Sequence, residues 1–237
     1  MPAPQHARQN AWQNAVFPSA GTTAHGYLAR PGSGTGPGLI VIQEWWGLTD
    51  HIADVTDRFA REGFVALAPD LYGGRVAHDT DEARRMIADL PPERAVPLLA
   101  GAVDHLLGLP ETTGGRVGAV GFCMGGTFVL HLAAADERVA AAVPFYGFPE
   151  PAPDFTGMTA AVLGHYGEHD DSIPSDAVTA LHTTLKRRTG RTPTLYSYPA
   201  GHAFFNDERP EAYDAPSASL AWTRTLAFLR DHLPTGH

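Results

Sequence analysis

Residues Val117–Gly126 read VGAVGFCMGG, and the order of residue types in this stretch decides the fold. Val117–Val120 is a short apolar run of strand length, and Thr127–Ala135 is apolar and of helical length. Between them, Gly121-Phe122-Cys123-Met124-Gly125-Gly126 must turn the chain sharply from strand into helix. Glycines on both sides of Cys123 remove the side chains that would clash in so tight a bend, and the residue at its apex is pushed clear of its neighbours. Gly-x-Ser-x-Gly elbows expose a serine in this way; here a thiol stands in the serine's place, which makes Cys123 a candidate nucleophile. A Cys that only packed would not need the turn. The amides that open the following helix, with the positive end of its dipole, favour a thiolate and can receive a developing oxyanion.

Working outward, apolar runs of strand length recur at Gly38–Ile42, Phe64–Ala68, Val139–Tyr146, Ala160–Tyr166 and Thr194–Tyr198. Segments with helical spacing fall between and after them: Asp50–Glu62, Thr80–Leu90 with Thr80 or Asp81 as its cap, Glu93–Leu107, Ser175–Arg188 and Pro216–Leu233. Unbroken apolar strands alternating with helices predict an α/β protein: a doubly wound, mostly parallel sheet with helices on both faces. Trp12–Phe17 and Thr22–Ala29 read as a hairpin at the sheet edge. Residues 1–11 are expected to be disordered, and 12–233 to form a single domain.

Composition narrows the function. The 237 residues carry 17 Lys and Arg against 26 Asp and Glu, a formal charge of -9, which argues against nucleic acid or an anionic membrane as partner. A single Cys rules out an intramolecular disulfide. The opening MPAPQHARQN has no apolar core of a secretory signal and no run of about eighteen apolar residues occurs, so a cytoplasmic, reducing location is expected. The twelve His residues are scattered without metal-ligand spacing, so neither a metal nor another cofactor is expected. The expected partner is a small molecule, and the expected assembly a monomer or small homo-oligomer.

In doubly wound sheets, reacting groups gather on the loops after the carboxyl ends of the strands. Glu44, Cys123, Asp170 or Asp171, and His202 fall there. A thiol needs a base to take its proton and return it to a leaving group, which suits an imidazole. Of the histidines, His202 sits in a short turn, Ala200-Gly201-His202, directly after the last strand. The imidazole in turn needs a carboxylate to hold its tautomer. Nucleophile, acid, histidine is the chain order of α/β hydrolases, and Cys123, Asp170, His202 repeats it.

Five features together resemble the dienelactone hydrolase family over about residues 12–232. They are the Gly-x-Cys-x-Gly-Gly elbow, Gln43-Glu44 closing an apolar strand, Pro69-Asp70-Leu71-Tyr72, Gly167-x-x-Asp170-x-x-x-Pro174, and Ala200-Gly201-His202-x-Phe204. The resemblance implies the α/β-hydrolase fold and cleavage of activated esters or lactones. It implies that the acid, four residues before Pro174, is Asp170 rather than Asp171. It further implies that Glu44 contacts the resting thiol and helps activate it, and that the amides of Trp45 and Met124 form the oxyanion hole. A carboxylate beside a thiol disfavours the thiolate, so Glu44 is expected to keep Cys123 protonated until substrate arrives. Trp46, Tyr72, Arg84, Arg85, Tyr146 and Phe204 are candidate substrate contacts. The family's carboxylate clamp is not matched: Ala203 follows His202, Asn206 stands where one Arg is expected, and Ala83 where another is, with Arg84 and Arg85 beside it. A broad carboxylesterase or thioesterase acting on neutral substrates is therefore an alternative. A thiol redox sensor or inactive binding protein is the alternative from a different class.

Overall fold

The apolar runs lie side by side in one eight-stranded sheet of order β1-β2-β4-β3-β5-β6-β7-β8. In chain order the strands are β1 (Ala15–Ser19), β2 (Thr22–Ala29), β3 (Gly36–Ile42), β4 (Val65–Pro69), β5 (Thr112–Phe122), β6 (Val139–Phe145), β7 (Ala161–Gly167) and β8 (Thr194–Tyr198). β2 runs antiparallel to both its neighbours, and β4, β3, β5, β6, β7 and β8 pair in parallel. The helices are α1 (Asp50–Arg61), α2 (Thr80–Ala88), α3 (Pro92–Gly108), α4 (Met124–Ala135), α5 (Ser175–Thr189) and α6 (Ala215–His232). These descriptions come from a computed structural model that describes residues 10–233. The disorder expected for residues 1–11 lies outside the described residues except at 10 and 11. There the chain is tied down: Asn10 Nδ2 donates to the Leu48 carbonyl and the Trp12 indole to Asp50 Oδ1.

Burial explains why the central strands were readable. Every residue of β3, β4 and β6 is buried, so no polar side chain interrupts those runs. β5 is longer than its apolar part, because Thr112–Arg116 is polar and partly exposed and pairs with β3 only at Thr112 and Thr113, on the far side of a register shift. β1 starts at Ala15 rather than at Trp12, since Trp12 turns away to its bond with Asp50. The cap of α2 is Asp79, not Thr80 or Asp81. Its carboxylate accepts from the Glu82 amide at 2.8 Å, the reach of an N-cap to the third residue of the helix. Helix α4 begins at Met124, immediately after the Cys, instead of at Thr127.

The elbow is fixed by close backbone approach. A Cβ on Gly121 would overlap the Gly125 carbonyl, one on Gly125 the carbonyls of Ile42 and Gln43, and one on Gly126 would press on the Phe145 carbonyl. The turn is thereby wedged between the ends of β3 and β6. Cys123 itself adopts φ 54°, ψ -115°, a left-handed region that costs a non-glycine residue on the order of 1–3 kcal/mol. Among the described residues no helix is long and apolar enough to cross a membrane.

Candidate active site

The loops after β3, β5, β7 and β8 bring Glu44, Cys123, Asp170 and His202 to one end of the sheet. His202 Nε2 lies 3.2 Å from Cys123 Sγ, and His202 Nδ1 donates to Asp170 Oδ2 at 2.7 Å. Asp170 is enclosed, and its Oδ1 accepts from the amides of Ser172 at 2.8 Å and Ile173 at 3.1 Å. Those two amides and the imidazole hold the carboxylate in one orientation. Asp171 is exposed, and the ring is bonded to its neighbour instead. Burial acts to lower the basicity of His202; the hydrogen bonds to Asp170 and Cys123, with their charges, outweigh it and push the ring up to about 10.

Thr127 N and Cys123 N donate to the carbonyls of Cys123 and Phe145. Among the described residues, the amides of Met124 and Trp45 have no acceptor within the protein. Met124 is the first residue of α4, where an amide has no intrahelical acceptor, and Gly125 packs directly on the end of β3 that leads into Trp45. Two unpaired donors on adjoining loops beside a thiol can receive an oxyanion.

Glu44 is buried. Its Oε2 accepts from Asn206 Nδ2 at 2.7 Å and its Oε1 from the Tyr146 hydroxyl at 3.4 Å. Its oxygens are turned to these two donors, and no hydrogen bond links it to Cys123, whose resting thiol the resemblance implied it contacts. Burial first, then the charges of Glu44 and Cys123, keep the Tyr146 phenol protonated well above its usual range, so it stays a donor.

A cavity of about 240 Å³ opens over the sulfur, lined by Glu44, Trp45, Trp46, Cys123, Ser172, His202, Ala203 and Arg209. The two Trp rings meet edge to face at 5.1 Å and form one wall. The other expected substrate contacts do not line this cavity. The Tyr72 hydroxyl donates to Met124 Sδ at 3.3 Å. Tyr146 and Phe204 are buried and packed edge to face at 5.5 Å, and the Tyr146 ring also meets that of His202 at 5.1 Å. Arg84 and Arg85 face solvent, Arg84 paired with Asp81 at 3.0 Å, because Ala83 and Met86 take the inward side of α2. Arg209 was not anticipated. It stacks over Trp46 at 5.4 Å and its Nε and Nη2 both bind Glu211 Oε1, at 2.8 and 2.7 Å. No local pattern announces it; it is one charge in the loop before α6. Among the described residues no three His, Cys, Asp or Glu side chains converge as a metal ion would require.

The dienelactone hydrolase family pattern matches residues 24–233. The chain belongs to the dienelactone hydrolase family. A protein of Aquifex pyrophilus named protein usf is 34% identical over 229 residues, covering 93% of this chain and 99% of the relative. The crystal structure of a provisionally named dienelactone hydrolase from Klebsiella pneumoniae superposes with a TM-score of 0.82 at 32% identity, over 91% of this chain and 96% of that one. A dienelactone hydrolase-like promiscuous phosphotriesterase from metagenomic libraries gives 0.82 at 26% identity, over 92% and 96%. The fold is thus the α/β-hydrolase fold, and the protein is a carboxylic ester hydrolase of the dienelactone hydrolase family.

Proposed function

We propose that the protein cleaves activated esters or lactones through a Cys123-His202-Asp170 triad and a thioester intermediate. The thiolate attacks the carbonyl carbon; the oxyanion that forms is received by the amides of Trp45 and Met124. As the tetrahedral species collapses, the C–O bond breaks and the leaving alkoxide takes a proton from His202. Water then attacks the thioester while His202 accepts its proton. The second collapse breaks the C–S bond, releases the acid and returns the thiolate beside the protonated His202. Asp170 orients the ring and supports its charge throughout. The unit that does this is one domain, residues 12–233, working in a reducing, cytoplasmic compartment that keeps the thiol free.

The observation that carries this reading is the unbroken chain Cys123 Sγ to His202 Nε2 at 3.2 Å and His202 Nδ1 to Asp170 Oδ2 at 2.7 Å, opening into a cavity that Trp45 also lines. Within the reaction class, the preferred substrate is neutral. Among the described residues the cavity wall holds, besides His202, one cationic side chain, Arg209, already engaged twice by Glu211, and Asn206 is committed to Glu44. Apart from His202, which is already bonded to Asp170 and Cys123, an anionic lactone therefore finds no free charge-assisted partner.

The test is pre-steady-state and steady-state hydrolysis across dienelactone, neutral lactones, thioesters and aryl esters. A burst of acylation at Cys123 is expected, with neutral substrates preferred and dienelactone showing a weak KM. Cys123→Ala and His202→Ala should each lower turnover by about 10⁵-fold, since members of a triad act as a unit. No turnover across the panel would overturn the reading, and a micromolar KM for dienelactone would overturn its preference for neutral substrates.

A further inference from the structure

Glu44 and Cys123 line the same cavity, so the carboxylate is close enough to influence the thiol, yet it is turned to other partners. Both of its oxygens have donors, Asn206 Nδ2 at 2.7 Å and the Tyr146 hydroxyl at 3.4 Å. The orientation of the Asn206 amide follows from its other end: Oδ1 accepts from the Glu208 amide at 3.1 Å, which leaves Nδ2 to face Glu44. The backbone of Asn206 is anchored as well. Its amide donates to the Ala203 carbonyl at 3.0 Å and its carbonyl accepts from the Arg209 amide at 3.1 Å. Asn206 is itself buried, and a buried amide is tolerated only with its hydrogen bonds made. This side chain is thus held in place to hold another.

We propose that Asn206 is a positioning residue that keeps the Glu44 carboxylate off the thiol, with Tyr146 as the weaker second holder. Cys123 is then engaged with His202 before any substrate arrives. The consequence is a thiol that stands ready rather than one released by substrate binding. A neutral amide suits this role, because it binds the carboxylate with one short hydrogen bond, brings no cation that an anionic substrate could compete for, and cannot titrate. With the donor removed, Glu44 is free to swing toward the sulfur, where its negative charge disfavours the thiolate. This deepens the proposed function and rests on it only for the consequence in turnover; the state of the thiol is measured without hydrolysis.

The experiment uses the full chain without substrate, whose single Cys makes alkylation by iodoacetamide report on Cys123 alone. Intact mass is followed with time at neutral pH. Asn206→Ala should slow alkylation by about tenfold, the effect expected from a carboxylate moved next to a thiol. Adding Glu44→Gln in that background should restore the wild-type rate, which a merely structural role of Asn206 would not allow. Tyr146→Phe removes the longer hydrogen bond with little change of shape and should act in the same direction, more weakly, with the same rescue. If Asn206→Ala does not fold, the Tyr146→Phe pair carries the test. Wild-type alkylation rates in the holder variants, or slowing that persists with Glu44→Gln, would overturn the proposal. Ester hydrolysis is measured on the same preparations. The expected alkylation pattern without hydrolysis would sink the proposed function and support the role of Asn206, whereas hydrolysis with acylation at Cys123 but no rescue would do the reverse.

Discussion

His165 and His202 are both enclosed histidines whose two ring nitrogens are both hydrogen-bonded, and they are driven to opposite sides of neutrality. His165, on β7, is fully buried with Nδ1 2.8 Å from the Tyr198 hydroxyl and Nε2 2.9 Å from Thr225 Oγ1. Burial, with the Arg224 cation second, pulls it down to about 3. His202 leaves 29% of its side chain exposed and meets a carboxylate and a thiol, and it is pushed up to about 10. Burial acts in the same direction on both. What differs is the partners: hydroxyls can bond a neutral imidazole without charge, while Asp170 and Cys123 reward the cation. One histidine is a neutral strut between a strand and a helix; the other can carry a proton at neutral pH.

The largest break in this comparison comes from Asp170. Asp170→Asn removes the charge that raises His202, and turnover should fall by about 10³- to 10⁴-fold. In the same variant the alkaline end of the pH profile for alkylation of Cys123 should move down, since the imidazolium loses its main support. Asp171→Asn should change neither; if it proves the more damaging change, the acid has been misassigned.

Stability against pH should separate the two histidines by sign. For His165 the folded value lies below the unfolded 6.5, so its neutral form is accommodated above 6.5 and stability is lost as pH falls from there toward about 3. For His202 the folded value lies above, so its contribution is complete below 6.5 and is lost as pH rises toward about 10. His165→Gln keeps partners for Tyr198 and Thr225 without a titrating group. Between pH 7 and pH 5 it should lose less unfolding free energy than wild type, by on the order of 2 kcal/mol, in urea titrations at the two pH values. An equal loss in both proteins would mean that His165 does not titrate in this way.

The smallest effect sharpens the ranking of causes at His165. Arg224 stacks over Tyr196 and donates to the Tyr198 hydroxyl at 3.1 Å, and its charge is the secondary cause of the depression. Arg224→Gln should raise His165 by less than about one pH unit, read from the imidazole proton resonances. A rise to near 6.5 would show that charge, not burial, was in control.

Much of this was open to the sequence. Cys123 was legible because the elbow demands glycines at fixed positions, and the backbone contacts of Gly121, Gly125 and Gly126 are the reason. Asp170 was legible because it follows β7, buried after its first residue; His202 follows β8, of which only Tyr198 is buried, and was picked out by its short turn Ala200-Gly201-His202 and by chain order. Side-chain direction was less legible. Arg84 and Arg85 looked available to the site, but the phase of α2 turns Ala83 and Met86 inward. Tyr146 and Phe204 follow strands, as the triad does, yet their rings fill the core. The Asp79 cap was missed because Thr80 and Asp81 have equally suitable side chains, and only the start of the helix chooses among them.

While the choice of Asp170 over Asp171 came from the family resemblance, the sequence by itself determined the strand-turn-helix elbow, the parallel sheet around it and the position of Cys123 at its carboxyl edge. These depend on local conformational limits and on the period of apolar residues, both of which are written in neighbouring positions. Only the tertiary structure decided which way Glu44 turns, that Asn206 holds it across 162 residues of chain, and that Arg209 reaches the cavity with its charge already taken. Such contacts join side chains on separate loops, where a rotation about one bond exchanges one partner for another, and no nearby residue records which partner is met.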